Sequence, residues 1–270
     1  MLIQQFKRIL YGLSFPIQKK IRKLQNKHQG EECYLFGDGI SIKWFELDHF
    51  KDKISISVGY LPFHNDFYKL NTEYCLLVEP NWFYPFVKTY ITPSTYIVNH
   101  IQSAYRKCIS KNLDKNFIVS LSNFPVLNGP NITHLFYDLP NSDIVNHFRK
   151  HNIEPFHGSL RASILMAIYM GFSKVYLVGY DYTHSPSRSM HWYEKGRGLD
   201  KEIKDYNQDF FSIALNFIEI ITVTVDKKSY KLKSVTYKEL TGENPIYKEN
   251  HEIISTNYLK ILSSWPNYDL

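Results

Sequence analysis

Residues 157–198 read HGSLRASILMAIYMGFSKVYLVGYDYTHSPSRSMHWYEKGRG. The first part predicts a buried helix over 159–169 that stops at Gly171, and the apolar run 175–178 predicts a strand directly after it. The second part is polar, with a corner at Gly179, Tyr180, Asp181 and Tyr182, then His184, Arg188, His191, Tyr193 and Glu194. Helix, strand and then a loop dense in titratable groups is the order in which an open α/β sheet binds ligand beyond the carboxyl ends of its strands. The functional site is expected there.

Working outward, three earlier segments read as strands that each end in a polar turn. Residues 32–36 run into Gly37, Asp38, Gly39 and Ser41; residues 53–58 run into Gly59; residues 74–78 run into Glu79, Pro80 and Asn81. In a parallel sheet such ends lie side by side and form one edge of a crevice. Further strands are expected over 117–121, 133–137, 219–225 and 234–237, and helices in part of 85–113, over 142–150 and over 201–218. The fold class is α/β: a Rossmann-like, mostly parallel sheet with helices on both faces and a small lid-like insertion around 182–200. Residues 31–270 form one domain, a size that buries most of its apolar surface.

The formal net charge is +6, and much of the excess lies before Glu31, in Lys7, Arg8, Lys19, Lys20, Arg22, Lys23 and Lys27. Apolar residues interleave with these bases, so residues 1–30 read as an amphipathic segment. Residues 1–27 then suit an anionic membrane surface, with packing on the chain's own domain as the alternative. No run of about 20 apolar residues is present to span a bilayer. The three cysteines, Cys33, Cys75 and Cys108, have no metal-ligand spacing, and their odd number argues against a disulfide framework. No nucleic-acid motif is present.

Three groups of residues could carry chemistry. His191 and His184 share one loop with Arg188, an imidazole being suited to a general base and a guanidinium to clamping phosphate or carboxylate. Most of the 11 histidines must be incidental, so an exposed loop without function is the alternative. Ser159 and Arg161 open the central helix, whose N-terminus favours an anion, or Ser159 is only its N-cap. Asp38 and Glu79 stand at strand ends, where a carboxylate could bind a ribose, act as acid, base or nucleophile, or cap a turn. No zinc pattern joins these residues, and no metal is expected.

FGDGISIKWFELDHF over 36–50 and HGSLRASILMAIYMGFSKVYLVGYDY over 157–182, with ISISVGYLPF and CLLVEPNWFYPF in order between them, resemble the bacterial sialyltransferases of the Campylobacter lipooligosaccharide type and the related motility-associated factors. The resemblance implies a GT-A-like nucleotide-binding fold that moves an ulosonic acid from its CMP ester to a sugar hydroxyl without a metal. It would place the donor at Gly37, Asp38, Gly39, Ser41 and Ser159, and the base at His191 after Gly179 and Asp181. Asp38, Gly59 and Glu79 stand where those enzymes use asparagine, and Thr183 stands for a phosphate-contacting tyrosine, a contact that Arg188, Tyr182 or Tyr193 could replace. These departures leave room for another ulosonic acid such as Kdo, and for a double displacement through Asp38 or Glu79. The expected partners are a CMP-activated sugar and a glycan or glycolipid acceptor, in a cytoplasmic protein peripheral to the inner face of the bacterial membrane, with an oligomer open. The alternatives are a Mg²⁺-dependent pyrophosphokinase, as some relatives of the motility-associated factors are, and a glycan-binding subunit without catalysis.

Overall fold

The computed structural model describes residue 17 and residues 19–85, 95–136, 138–183, 187–202, 207–226, 229, 232–263 and 268–270. Its strands are β1 Glu32–Phe36, β2 Ile54–Val58, β3 Thr72–Leu77, β4 Asn116–Ser120, β5 Ile132–Leu135, β6 Lys174–Val178, β7 Ser187–Arg188, β8 Asp200–Lys201, β9 Glu219–Thr224 and β10 Ser234–Thr236. Its α-helices are α1 Lys19–Arg22, α2 Thr95–Lys111, α3 Ile144–Lys150, α4 Ser159–Met170, α5 Gln208–Ala214, α6 Tyr237–Thr241, α7 Asn250–Ile253 and α8 Thr256–Leu262. Eight strands make one sheet in the order β10-β9-β6-β1-β2-β3-β4-β5, and every neighbouring pair is parallel.

Successive side chains of a strand point to opposite faces, and here both faces are buried, which is why the strands read as continuous apolar runs. Cys33, Leu35, Ile56, Tyr74, Ile118, Val175 and Leu177 pack under α1, α3, α4 and α5. Tyr34, Phe36, Cys75, Phe117, Val119 and Val178 face the other way, toward α2, the turn residues Ile40 and Ile42, and Trp192. The three cysteines are free and buried, and burial raises each thiol above its ordinary pKa.

Helix α4 is buried on almost every side, from Leu160 to Met170. Gly171 ends it in the left-handed region, at φ 88°, and its N–H reaches back to the carbonyl of Ile168. The chain then enters β6 next to β1. Because β2 lies on the other side of β1, the strand order reverses between β1 and β6. A reversal of this kind is where such a sheet usually binds ligand, in a crevice beyond the carboxyl ends of its strands.

Two expectations change. Lys201 is not helical: β8 pairs antiparallel with β7, Ser187 opposite Lys201 and Arg188 opposite Asp200, and the described helix that follows begins at Gln208. Helical spacing of apolar residues said nothing about that long-range pairing. Residues 203–206 lie outside the described residues.

The described part of the basic segment packs on its own domain. Ile21 and Leu24 are 1% and 5% exposed in the core. Lys20 donates to the carbonyls of Gly129, Pro130 and Ile132 at 2.8–2.9 Å, and Lys27 donates to Glu73 at 3.1 Å and the Tyr74 hydroxyl at 2.7 Å. Residues 1–16 and 18 lie outside the described residues, and no described helix is long and apolar enough to cross a membrane. Ile21→Ala and Leu24→Ala are each expected to lower stability in urea unfolding by about 2–4 kcal/mol, as large-to-small core changes do. A loss below about 0.5 kcal/mol, typical of exposed positions, would contradict this packing.

Candidate active site at the switch point

The crevice floor is a close junction of the turns after β1 and β6. Gly37 N donates to Val178 O at 2.8 Å, Gly39 N to Gly179 O at 2.7 Å, and Ser41 N to Asp181 Oδ2 at 3.0 Å. A Cβ on Gly39 would lie 2.1 Å from that Asp181 oxygen, so only glycine lets the turns approach this closely. The N–H groups of Gly37, Gly39 and Ser41, where the resemblance would place the donor, are thus engaged in joining the turns. Ser41 and Asp181 are buried. The turn still directs one charged group to the crevice, the Asp38 side chain.

Asp38 is partly exposed as a residue, but its carboxyl is enclosed by protein. Both oxygens accept from Tyr60 N at 3.0 Å, and Oδ1 accepts from Trp192 Nε1 at 3.2 Å. Gly59, at φ 60°, leaves the space for it: a Cβ there would lie 1.6 Å from Asp38 Oδ2. Burial pushes the Asp38 carboxyl up to about 6, against the opposing effects of the His191 charge and the donors Tyr60 and Trp192. Burial, with the Asp38 charge as a further cause, raises the hydroxyls of Tyr60, Tyr105, Tyr180, Tyr182, Tyr193 and Tyr268.

The loop between β7 and β8 folds over the same place. His191 bridges to Gly39, Trp192 N donates to Asp38 O at 3.1 Å, and the Trp192 side chain is fully buried. His191 Nδ1 lies 2.7 Å from Glu194 Oε2, which also accepts from His191 N at 2.7 Å. Glu194 Oε1 accepts from Asp269 N at 3.3 Å. Burial opposes the Glu194 charge, but the hydrogen bonds from His191 prevail and hold the carboxyl below its ordinary range. The His191 ring stacks on Tyr193, with centroids 5.1 Å apart and planes 7° apart, and meets Tyr268 edge-on. Its side chain is 44% exposed, and Nε2 has no hydrogen-bond partner among the described residues. A carboxylate on Nδ1 keeps the proton there and leaves Nε2 as the acceptor, the arrangement of a general base.

The other expected residues take distinct places. Glu79 is exposed at the end of β3, with its carboxyl raised by partial desolvation, and its carbonyl accepts from Asn123 at 3.2 Å. Asn81 is exposed in the left-handed region, and its N–H donates to Ser122. Ser159 is not an N-cap; Gly158 is, without a side-chain cap, and Ser159 opens α4. Ser163, on the same helix face, places its hydroxyl 3.2 Å from that of Tyr180. Arg161 is turned to other work, donating to Asn207 and to Glu154 O and lying over Phe210. Arg188 lies over Trp44 at 4.6 Å and pairs with Asp200 at 3.4 Å, so its charge steadies the β7–β8 ribbon. Thr183 is buried with its hydroxyl on Tyr180 O, whereas Tyr182 is 39% exposed as a residue and meets Tyr180 edge-on, although burial raises its hydroxyl. Gly179 receives the Gly39 bond. His184 lies outside the described residues. Trp192 and Tyr268 were not legible as site residues, because nothing local marks an aromatic that is brought in by the fold.

Among the described residues no group of three or more His, Cys, Asp or Glu side chains could hold a metal ion. No protein-family model and no curated protein matches the chain. In fold, the chain is similar to the sialyltransferase CstII from Campylobacter jejuni in complex with a substrate analogue, cytidine-5'-monophosphate, at 14% identity and a TM-score of 0.43, covering 88% of this chain and 99% of that one. It is likewise similar to the sialyltransferase CST-II in complex with a trisaccharide acceptor and CMP, at 15% identity and a TM-score of 0.45, covering 86% and 99%.

The raised pKa of Asp38 makes the stability of the fold depend on pH. Because the folded chain holds this proton more tightly than the unfolded chain, the contribution is fully present below an unfolded value of 3.8 and is lost as pH rises through about 6. Relative to Asp38→Asn, the wild type is expected to lose on the order of 3 kcal/mol between pH 4 and 7 in urea unfolding. A pH-independent difference, or one of opposite slope, would contradict the burial of this carboxyl.

Proposed function

We propose that the chain is a glycosyltransferase that moves an ulosonic acid from a CMP-activated donor to a sugar hydroxyl. The observation that carries this reading is the His191–Glu194 pair, with the His191 side chain 44% exposed. Nε2 takes the proton of the acceptor hydroxyl as that oxygen attacks the anomeric carbon. The bond from that carbon to the phosphate oxygen breaks, and CMP leaves with the electron pair. Glu194 offsets the charge that the imidazole gains. We assign the start of α4 at Ser159, together with Tyr182, to the departing phosphate.

Direct displacement inverts the anomeric centre. Both Asp38 oxygens are already engaged, by Tyr60 N after β2 and, at Oδ1, by Trp192 Nε1 of the His191 loop. We therefore assign Asp38 to holding the site. The resemblance of the β1 and β6 segments supports the choice of CMP, and bacterial surface glycan synthesis is the corresponding setting.

Calorimetric titration with CMP, UMP, GDP and ATP, each with and without Mg²⁺, tests the reading. CMP is expected to bind best, and without the metal. Binding of ATP only with Mg²⁺ would favour a pyrophosphokinase instead, and binding without turnover would favour a glycan-binding subunit. His191→Ala is expected to lower turnover by about 10²–10⁴-fold, the range for loss of a general base, with CMP affinity kept. Turnover near that of the wild type would remove His191 from this role.

A further inference from the structure

Lysine rarely lies fully inside a protein, since removing the ammonium from water is costly unless acceptors surround it. The Lys43 side chain is 0% exposed. It belongs to the short 3₁₀ turn Ile40–Trp44 that follows the β1 glycine turn. Its Nζ donates to Glu194 O at 2.6 Å and to Gly196 O at 2.7 Å, and it lies 3.4 Å from Glu249 Oε2 and 3.5 Å from the Tyr247 hydroxyl. Burial lowers its pKa and the Glu249 charge opposes that shift, as expected for an ammonium paired inside the fold.

The partners form a connected set. Glu249 Oε2 also accepts from Gly196 N at 3.4 Å, and its other oxygen accepts from the Tyr247 hydroxyl at 2.7 Å. Asn250 Nδ2 donates to Tyr193 O at 3.0 Å. The backbone of the turn is itself tied to this segment, with Ile246 N on Trp44 O and Lys248 N on Lys43 O. Among residues 193–196, the carbonyls of Tyr193, Glu194 and Gly196 are thus all held by side chains from elsewhere in the chain. These residues lie outside any described helix or strand, so side-chain donors do here what a ladder does elsewhere.

We propose that Lys43 is a positioning residue for the base: by gripping the carbonyls of Glu194 and Gly196 it aims the Glu194 carboxylate at His191 Nδ1, with Glu249 as its counter-charge. Its place in the reaction rests on the reading of His191 as the base. The same turn carries Ser41, whose N–H binds Asp181 after β6, so one short element links the crevice floor to the base. Lys43 touches neither substrate nor reacting atoms in this scheme and acts only through Glu194.

The test uses the full chain and reads the His191 imidazole by nitrogen-15 NMR, with His191→Ala to assign the signal. At a pH where the ring is neutral, the wild type is expected to carry its proton on Nδ1, in slow exchange with solvent. Lys43→Met, folded as judged by its thermal transition, is expected to show mixed tautomers and fast exchange. Its kcat should fall by roughly 100-fold, the scale of an ångström-level misplacement, with CMP affinity unchanged. A folded Lys43→Met with the wild-type tautomer and exchange rate would overturn the proposal, as would a wild type without the protected Nδ1 proton. If Lys43→Met does not fold, Glu249→Gln decides: it keeps an acceptor for Gly196 N but removes the charge facing Lys43. Faster Nδ1 proton exchange in Glu249→Gln supports the proposal, and unchanged exchange overturns it. Failure of every CMP-sugar to react would count against the proposed function while leaving this spectrum readable.

Discussion

The site depends on how closely the turns after β1 and β6 meet. Two backbone hydrogen bonds, from Gly37 to Val178 and from Gly39 to Gly179, extend the pairing of the two strands beyond their ends. A side chain on Gly39 would meet Asp181, which would part the turns and withdraw the acceptor from Ser41 N. With the turns joined, Asp38 projects at the point where the strand order reverses, and the loop bearing His191 can bridge to Gly39. The carboxyl edge of the sheet is therefore set by backbone contacts, and the polar side chains are added to it.

Residues 190–198 have little regular structure of their own, so buried charges and aromatic burial hold them. On one side Asp38 accepts from the indole of Trp192, and on the other Lys43 donates to Glu194 O and Gly196 O. Buried ions are costly unless every bond they can make is made. Here the cost is offset by many partners, and the result is a loop with a defined geometry. That matters for a base, because a His–carboxylate pair is useful only if Nε2 points to the reacting hydroxyl.

More of the buried tyrosines and phenylalanines lie on the face of the sheet opposite α4 than on the face beneath it. Tyr60, Phe63, Tyr105, Tyr193 and Tyr258 form a continuous run of ring contacts under the crevice. Large rings fill volume with few rotatable bonds. The same residues that build this core also form the low-dielectric surroundings that raise the Asp38 carboxyl. Packing and electrostatics are two aspects of one arrangement here.

Local chemistry made the strands, the central helix and the glycine turns readable without any coordinates. The apolar runs that became β1, β2 and β6, the Gly171 stop after α4 and the turns at Gly37 and Gly179 all depend on near neighbours. His191 and Glu194, three residues apart, were legible as a polar cluster, though not as a bonded pair. Lys201 was misread as helical, because β7 and β8 pair across an intervening loop. The contacts that place the candidate site span far longer separations: Lys43 to Gly196 over 153 residues, Asp38 to Trp192 over 154, and Ser41 to Asp181 over 140. Period and spacing record which face of an element is buried, so sequence alone determined the α/β layers and the location of the polar loop. Which carboxylate faces which histidine, and that a lysine lies inside, only the tertiary structure decided, because buried charges find their partners through space and no local pattern encodes them.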